Sequence, residues 1–356
     1  MIKEILAEAA RLRTFFENSG AQAVETSILQ PARLFVELYG EDIRARTYTT
    51  ADALRGEQML RPDFTVPILQ MHIDTGSGCA RYTYSGEVFR RQEQFENRPN
   101  EYLQVGYELI DKSDPVEADV EVFSLFSKVL SPFDLRSVTG DIGILTAAIN
   151  GLQTTKQRKS TLMRHIWRPK RFRELLNFYA GRTSVSAYRT ALLAENHDKN
   201  VFPEFGMRCR KDVLDRIAQL KEDAMVPAIS MTELTALDQL LEIRGKIPKV
   251  IEHLEEISTD IPAIRSILNR LKLRTDSFVN NGIDVNSIDF EVCYGRTQME
   301  YYDGFVFGFF ANDRPNLPPV STGGRYDALT VQLDTRKKRL AVGGAIRPDL
   351  ILELIS

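Results

Sequence analysis

A chain that leaves one hydrophobic period for another and later returns to it must complete a sheet it began much earlier, and this sequence does so. RYTYSGEVFRR and EYLQVGYELI, between residues 81 and 110, are rich in β-branched and aromatic residues and flank the polar stretch QEQFENRPN with its Pro99. That pattern predicts two strands joined by a long polar loop. From about 155 to 275 the segments KDVLDRIAQLKEDA, SMTELTALDQLLEIRG and IPAIRSILNRLKLR carry apolar residues at helical spacing, punctuated by Pro227, Gly245 and Pro262. No strand pattern of comparable strength interrupts them. Strand-like sequence resumes in SIDFEVCYG, MEYYDGFVFGFFA and RLAVGGA. The expected organisation is an α+β core in two parts, 1–150 and 276–356, with a helical insertion over 151–275.

The remaining helices follow from spacing. Ile5, Leu6, Ala9, Leu12, Phe15 and Phe16 recur with the helical period, and Gly20 stands where that helix should stop. DPVEADVEVFSLFSKVL repeats the pattern, and Pro348 opens a short closing helix. The amino terminus carries acids where a signal peptide has a plain apolar stretch, and no run of about 18 uncharged apolar residues exists. A cytoplasmic protein with no membrane partner is expected.

Charge excludes a general polyanion binder: 46 Lys+Arg against 49 Asp+Glu leave a net charge of −3. One local exception lies between Lys156 and Arg173, where Arg158, Lys159, Arg164, Arg168, Lys170 and Arg171 also fall. It reads either as an anion, RNA or partner contact or, the reading preferred here, as the solvated face of helices whose buried stripe is Leu162, Ile166, Phe172, Leu175 and Leu176. Cys79, Cys209 and Cys293 are too dispersed for a metal knuckle or redox pair, and His72, His165, His197 and His253 make no ligand spacing. No nucleophile elbow, Walker loop or dinucleotide fingerprint is present. Neither a metal, a cofactor nor a catalytic residue is called for.

Two stretches are more informative. In EYLQVGYELI, Leu103, Val105, Tyr107 and Leu109 alternate with Gln104, Gly106 and Glu108. One face is apolar; the other bears an amide, a bare backbone position and a carboxylate, suited either to a polar ligand with an ammonium group or to the wet side of a half-buried strand. In LRPDFTVP two prolines bracket Asp63 and Thr65, which predicts a stiff, extended segment with both polar side chains on one side.

Together these segments resemble the catalytic core of histidyl-tRNA synthetase, a class II aminoacyl-tRNA synthetase. LRPDFTVP is similar to the family's LRPEGT stretch, and residues 86–110 resemble motif 2 with its closing QxGxE. MEYYDGFVFGFF resembles the histidine-recognition segment, GGRYDAL matches GGRYDxL, and AVGGAIRPDLIL stands where motif 3 belongs. The resemblance implies a class II synthetase-like antiparallel sheet flanked by helices. It also implies histidine-binding positions at Asp63, Thr65, Gln104, Glu108, Tyr301, Tyr302 and Tyr326, with Arg90 and Gln92 left from an ATP site.

The departures from the family bear on activity. Thr297 replaces an arginine that assists adenylate formation, Leu350 replaces the motif 3 arginine that grips ATP, and Gln92 replaces a motif 2 glutamate. Removing one donor to developing negative charge costs about 3–4 kcal/mol of barrier, so two such losses imply a chain without adenylation activity. The sequence closes shortly after motif 3, where synthetases continue into an anticodon-binding domain, so neither that domain nor specific tRNA binding is expected. A core that keeps the amino-acid pocket and loses the chemistry resembles the regulatory-subunit family of ATP phosphoribosyltransferase. That resemblance implies a non-catalytic, self-dimerising subunit within a hetero-oligomer. Its partner would be the short-form catalytic subunit at the first step of histidine biosynthesis, with L-histidine as feedback effector. The alternative is a truncated class II ligase still activating histidine or a related amino acid, with Arg296, Arg325 or Arg347 in the vacated places.

Overall fold

The two β-rich runs around Pro99 pair as predicted. In the computed structural model, which describes residues 2–41, 43–91, 98–194, 209–296 and 301–355, they are antiparallel neighbours in register from Ala80 opposite Ile110 to Phe89 opposite Glu101. In chain order the strands are β1 (Gln22–Ala23), β2 (Leu29–Pro31), β3 (Thr49–Asp52), β4 (Gly56–Leu60), β5 (Ala80–Phe89), β6 (Glu101–Ile110) and β7 (Leu135–Asp141). The later ones are β8 (Arg244–Lys246), β9 (Asp289–Glu291), β10 (Phe305–Ala311), β11 (Ser321–Arg325) and β12 (Ala341–Ile346). Among the described residues nine strands form one sheet in the order β1-β5-β6-β12-β11-β10-β7-β9-β8, and β2, β4 and β3 form a second. The large sheet is antiparallel except where β1 meets β5 and β7 meets β9. Strand β12 lies between β6 and β11, so the last strand of the chain closes the middle of the sheet.

One face of this sheet is covered by helices. Alternation in β10 puts Phe305, Phe307 and Phe309 on the same side, where each lies within 6.1 Å of the Phe123 ring from the helix Pro115–Leu130. Asp114 caps that helix, its carboxylate accepting from the Val116 and Glu117 amides. The helix Ile2–Asn18 buries Ala9, Leu12 and Phe16, with the Phe16 ring 5.4 Å from Tyr107, while Leu6 stays exposed. Gly20, at φ 91°, ends it in a conformation that favours glycine.

The middle of the chain is largely helical, as its periodicity predicts, including Arg210–Met225, Met231–Glu242 and Arg265–Asn280. It also supplies β8, a strand of only three residues at the sheet edge. Its helix Arg265–Asn280 returns to the core: Arg274 donates to Asp119 at 3.0 Å and to Asp141 at 2.9 Å, while Arg325 reaches Asp119 at 2.7 Å and Asp327 at 3.0 Å. These five groups are buried, so the pairing is what makes their charge tolerable. The stripe Leu162, Ile166, Phe172, Leu175 and Leu176 is buried as expected. Arg158, assigned to the solvated face with its neighbours, is instead buried, bonded to Asp223 at 2.6 Å and to the Pro227 carbonyl at 2.9 Å.

LRPDFTVP departs from the extended reading. Thr65 is the first residue of the helix Thr65–Thr75, and Pro67 falls in its first turn. The amides there have no carbonyl behind them to bind, so a proline is accommodated.

Candidate functional site

The polar side of β6 is not wet. Gln104, Gly106 and Glu108 are buried, because the turn before Thr65–Thr75, the ring of Tyr84 and the residues around Tyr301 and Tyr326 cover that side of the sheet. At Gly106 the reason for a bare backbone position is visible: a Cβ there would lie 2.2 Å from the Tyr84 hydroxyl. The Tyr84 ring in turn stacks on Phe64, with centroids 4.2 Å apart.

Glu108 is the centre of the cluster. It is 1% exposed, and it accepts from the Thr65 hydroxyl at 2.9 Å and the Tyr326 hydroxyl at 2.6 Å. Burial pushes its carboxyl up to about 8, although the bonds from Tyr326 and Thr65 favour the charged form. Asp63 is buried beside it, accepting from the Tyr39 hydroxyl and the Val66 amide, both at 3.2 Å. Burial raises the Asp63 carboxyl as well, and the Arg90 guanidinium, 3.9 Å away, opposes the rise. Tyr301 joins the two carboxylate neighbourhoods: its ring centroid lies 5.8 Å from Tyr39, 4.8 Å from Tyr302 and 5.9 Å from Tyr326.

Six of the seven sequence-predicted positions therefore meet through these contacts, and Gln104 lies on the same side of β6 two residues before Gly106. Arg90 also reaches the cluster, through Asp63. Gln92 and Thr297 lie outside the described residues. Leu350 is fully buried in the apolar core. Tyr39 and Tyr84 were not anticipated as site residues: Tyr39 stands in no patterned stretch, and Tyr84 was read only as part of a strand. Gly343, within the strand-like run RLAVGGA, faces Glu108 directly across β12 and β6. Two carboxyls with raised proton affinity, ringed by hydroxyls and aromatic faces, suit a small cationic polar ligand such as an ammonium or imidazole group.

A mixed α+β fold of this kind, with a central antiparallel sheet flanked by helices, is that of the class II aminoacyl-tRNA synthetase core. The chain belongs to the histidyl-tRNA synthetase family, whose sequence model matches residues 2–204 and 205–351. It is 27% identical over 372 residues to an ATP phosphoribosyltransferase regulatory subunit of Mesorhizobium japonicum, covering 99% of this chain and 98% of that one. A protein of the same name from Brucella anthropi is 25% identical over 366 residues, covering 97% and 96%. Among solved structures, an ATP phosphoribosyltransferase regulatory subunit/histidyl-tRNA synthetase from Bacillus halodurans superposes with a TM-score of 0.70 at 21% identity, over 100% of this chain and 80% of that one. A histidyl-tRNA synthetase from Nostoc gives 0.64 at 16%, over 99% and 71%. Among the described residues no helix is long and apolar enough to cross a membrane.

Proposed function

We propose that this chain is the non-catalytic regulatory subunit of ATP phosphoribosyltransferase. It pairs with itself and with the short-form catalytic subunit at the first step of histidine biosynthesis, and it carries feedback inhibition by L-histidine bound at the Glu108 cluster. The full-length similarity to regulatory subunits supports the assembly. Against a surviving ligase, the observation that weighs most is the fate of the arginines nearest the lost positions. Arg325 is held by Asp119, Asp327 and the Pro115 carbonyl. Arg347 lies 4.0 Å over the Tyr102 ring and is paired with Asp349. Arg296 donates to the Ile166 carbonyl at 2.7 Å and sits over Phe172. Each would have to abandon these partners to meet a phosphate, and Leu350 offers no charge.

Histidine as effector acts by linkage. If the cluster binds it in only one arrangement of the complex, occupancy draws the complex to that arrangement, and a coupling of about 1–3 kcal/mol suffices for control. The test is reconstitution with a short-form catalytic subunit. The expected result is a defined hetero-oligomer whose phosphoribosyl transfer depends on this chain and is inhibited by histidine. Glu108→Ala should assemble normally and lose the inhibition; inhibition unchanged in that complex removes Glu108 from the mechanism. Histidine-dependent exchange of pyrophosphate into ATP far above background would overturn the reading in favour of the ligase.

A further inference from the structure

The helical insertion contains a cleft of about 830 Å³ between the helices Lys156–Arg164, Pro169–Tyr179, Ala187–Ala194 and Arg210–Met225. Among the described residues, Arg164, Arg171, Arg189 and Arg216 line it, with Glu174 and Asp223 of opposite charge. Both carboxylates are engaged: Glu174 pairs with Arg171 at 3.0 Å, and Asp223 accepts from the buried Arg158, which stands outside the cleft. Arg164, Arg189 and Arg216 have no carboxylate partner among the described residues; Arg189 rests over the Phe178 ring at 4.8 Å, and Arg216 bonds only the Gln219 amide oxygen at 3.3 Å. In a chain of net charge −3 this is a concentrated positive spot. His165 on its wall reports the same field: its proton affinity is lowered, first by burial and then by Arg171, Arg168 and Arg164.

We propose that this cleft binds a small molecule carrying a di- or triphosphate group, with Arg164, Arg189 and Arg216 as its phosphate ligands. Arginine forks match phosphate oxygens two at a time, and the cleft volume is that of a nucleotide-sized site. A nucleic acid is the less fitting occupant because, among the described residues, the arginines beside the cleft are drawn into other pairs: Arg173 and Arg182 both pair with Asp238, and Arg158 is turned inward. Gln157, Asn177 and Gln219 on the walls offer amides to whatever bears the phosphates. The inference does not depend on the function proposed above.

Equilibrium binding of ATP, inorganic pyrophosphate and adenosine to the full chain tests it. Saturable binding of ATP and pyrophosphate, with none of adenosine, is expected. Arg164→Glu combined with Arg216→Glu should abolish it, and Arg164→Gln alone should weaken it about tenfold. Glu108→Gln should leave it intact. The conservative single variant still decides the matter if the double reversal fails to fold. ATP binding that survives both arginine variants belongs to the synthetase-like core and overturns the proposal. So does the absence of saturable binding by either phosphate compound, or the same arginines proving to bind tRNA in place of ATP.

Discussion

Glu108 on β6 and Gly343 on β12 are register partners, and the carboxylate of the first fills the space a side chain on the second would need: a Cβ at Gly343 would stand 1.7 Å from Glu108 Oε2 and 2.7 Å from the Tyr107 carbonyl oxygen. The position of the acid in the cluster is thus set by an absence on the neighbouring strand.

Gly343→Ala tests that dependence. The Tyr107 carbonyl is backbone and cannot swing aside, so the strand must shift, and the Glu108 side chain must leave its place as well. We expect histidine affinity to fall about tenfold or more, with an overpacking loss of about 1–3 kcal/mol in urea unfolding. Calorimetric titration giving wild-type affinity would show that the ligand does not use Glu108 in the position described.

Ligand binding should be linked to a proton. With its carboxyl raised to about 8, free Glu108 is mostly protonated at neutral pH, whereas it must be charged to hold a cationic ligand group. Histidine affinity should therefore rise with pH up to about 8 and then level off with respect to this group. Titration in buffers of different ionisation enthalpy should register close to one proton released at pH 7. No release, in wild type and Glu108→Gln alike, would exclude Glu108 as the cation's partner.

Stability should respond to the same group in the opposite direction. A carboxyl raised in the folded state favours folding fully below its ordinary value near 4.5 and loses that contribution as pH climbs through about 8. Glu108→Gln cannot ionise, so its melting temperature should exceed that of the wild type at pH 9 by about 2 °C or more, and the gap should close at pH 5. Thermal melts followed by circular dichroism measure both.

The buried ion cluster should be unforgiving of partial removal. Asp119 serves both Arg274 and Arg325, and all three are at most 2% exposed. Asp119→Ala leaves two guanidinium groups under-compensated, and about 3–5 kcal/mol of stability should be lost in denaturant unfolding. Asp119→Asn keeps the oxygen and should lose less. A midpoint unchanged in the alanine variant would mean that water reaches the arginines.

The β5–β6 hairpin was legible because alternation there spans ten residues and a polar run with Pro99 separates the strands. The Phe305, Phe307 and Phe309 stripe was legible as a strand for the same reason. Strand β8 has three residues, too few to show any period, and its place in the sheet is fixed by pairing with β9. Thr65 was misread locally because paired prolines suggest extension, whereas Pro67 needs only to occupy a first helical turn. In the site, the residue pattern itself pointed to Asp63, Thr65, Gln104 and Glu108, and the resemblance added Tyr301, Tyr302 and Tyr326. The tyrosines at 39 and 84 and the glycine at 343 act through space that only the assembled sheet defines. The polar side of β6 illustrates the limit: alternation identified two faces, but whether the polar one meets water depends on chain far away in sequence.

That β12 is the strand between β6 and β11 has a consequence for how the chain is made. While Ala341–Ile346 is still untranslated, β6 is a bare edge on the emerging polypeptide, a row of unpaired amides and carbonyls ending in apolar residues. Glu108 meanwhile lacks the hydroxyl of Tyr326, a partner 218 positions further along. Assembly waits on the slowest kind of contact, a central pairing between distant segments. The nascent chain thus stays exposed to chaperones, and to aggregation with its own copies, until the residues of β12 have emerged and paired.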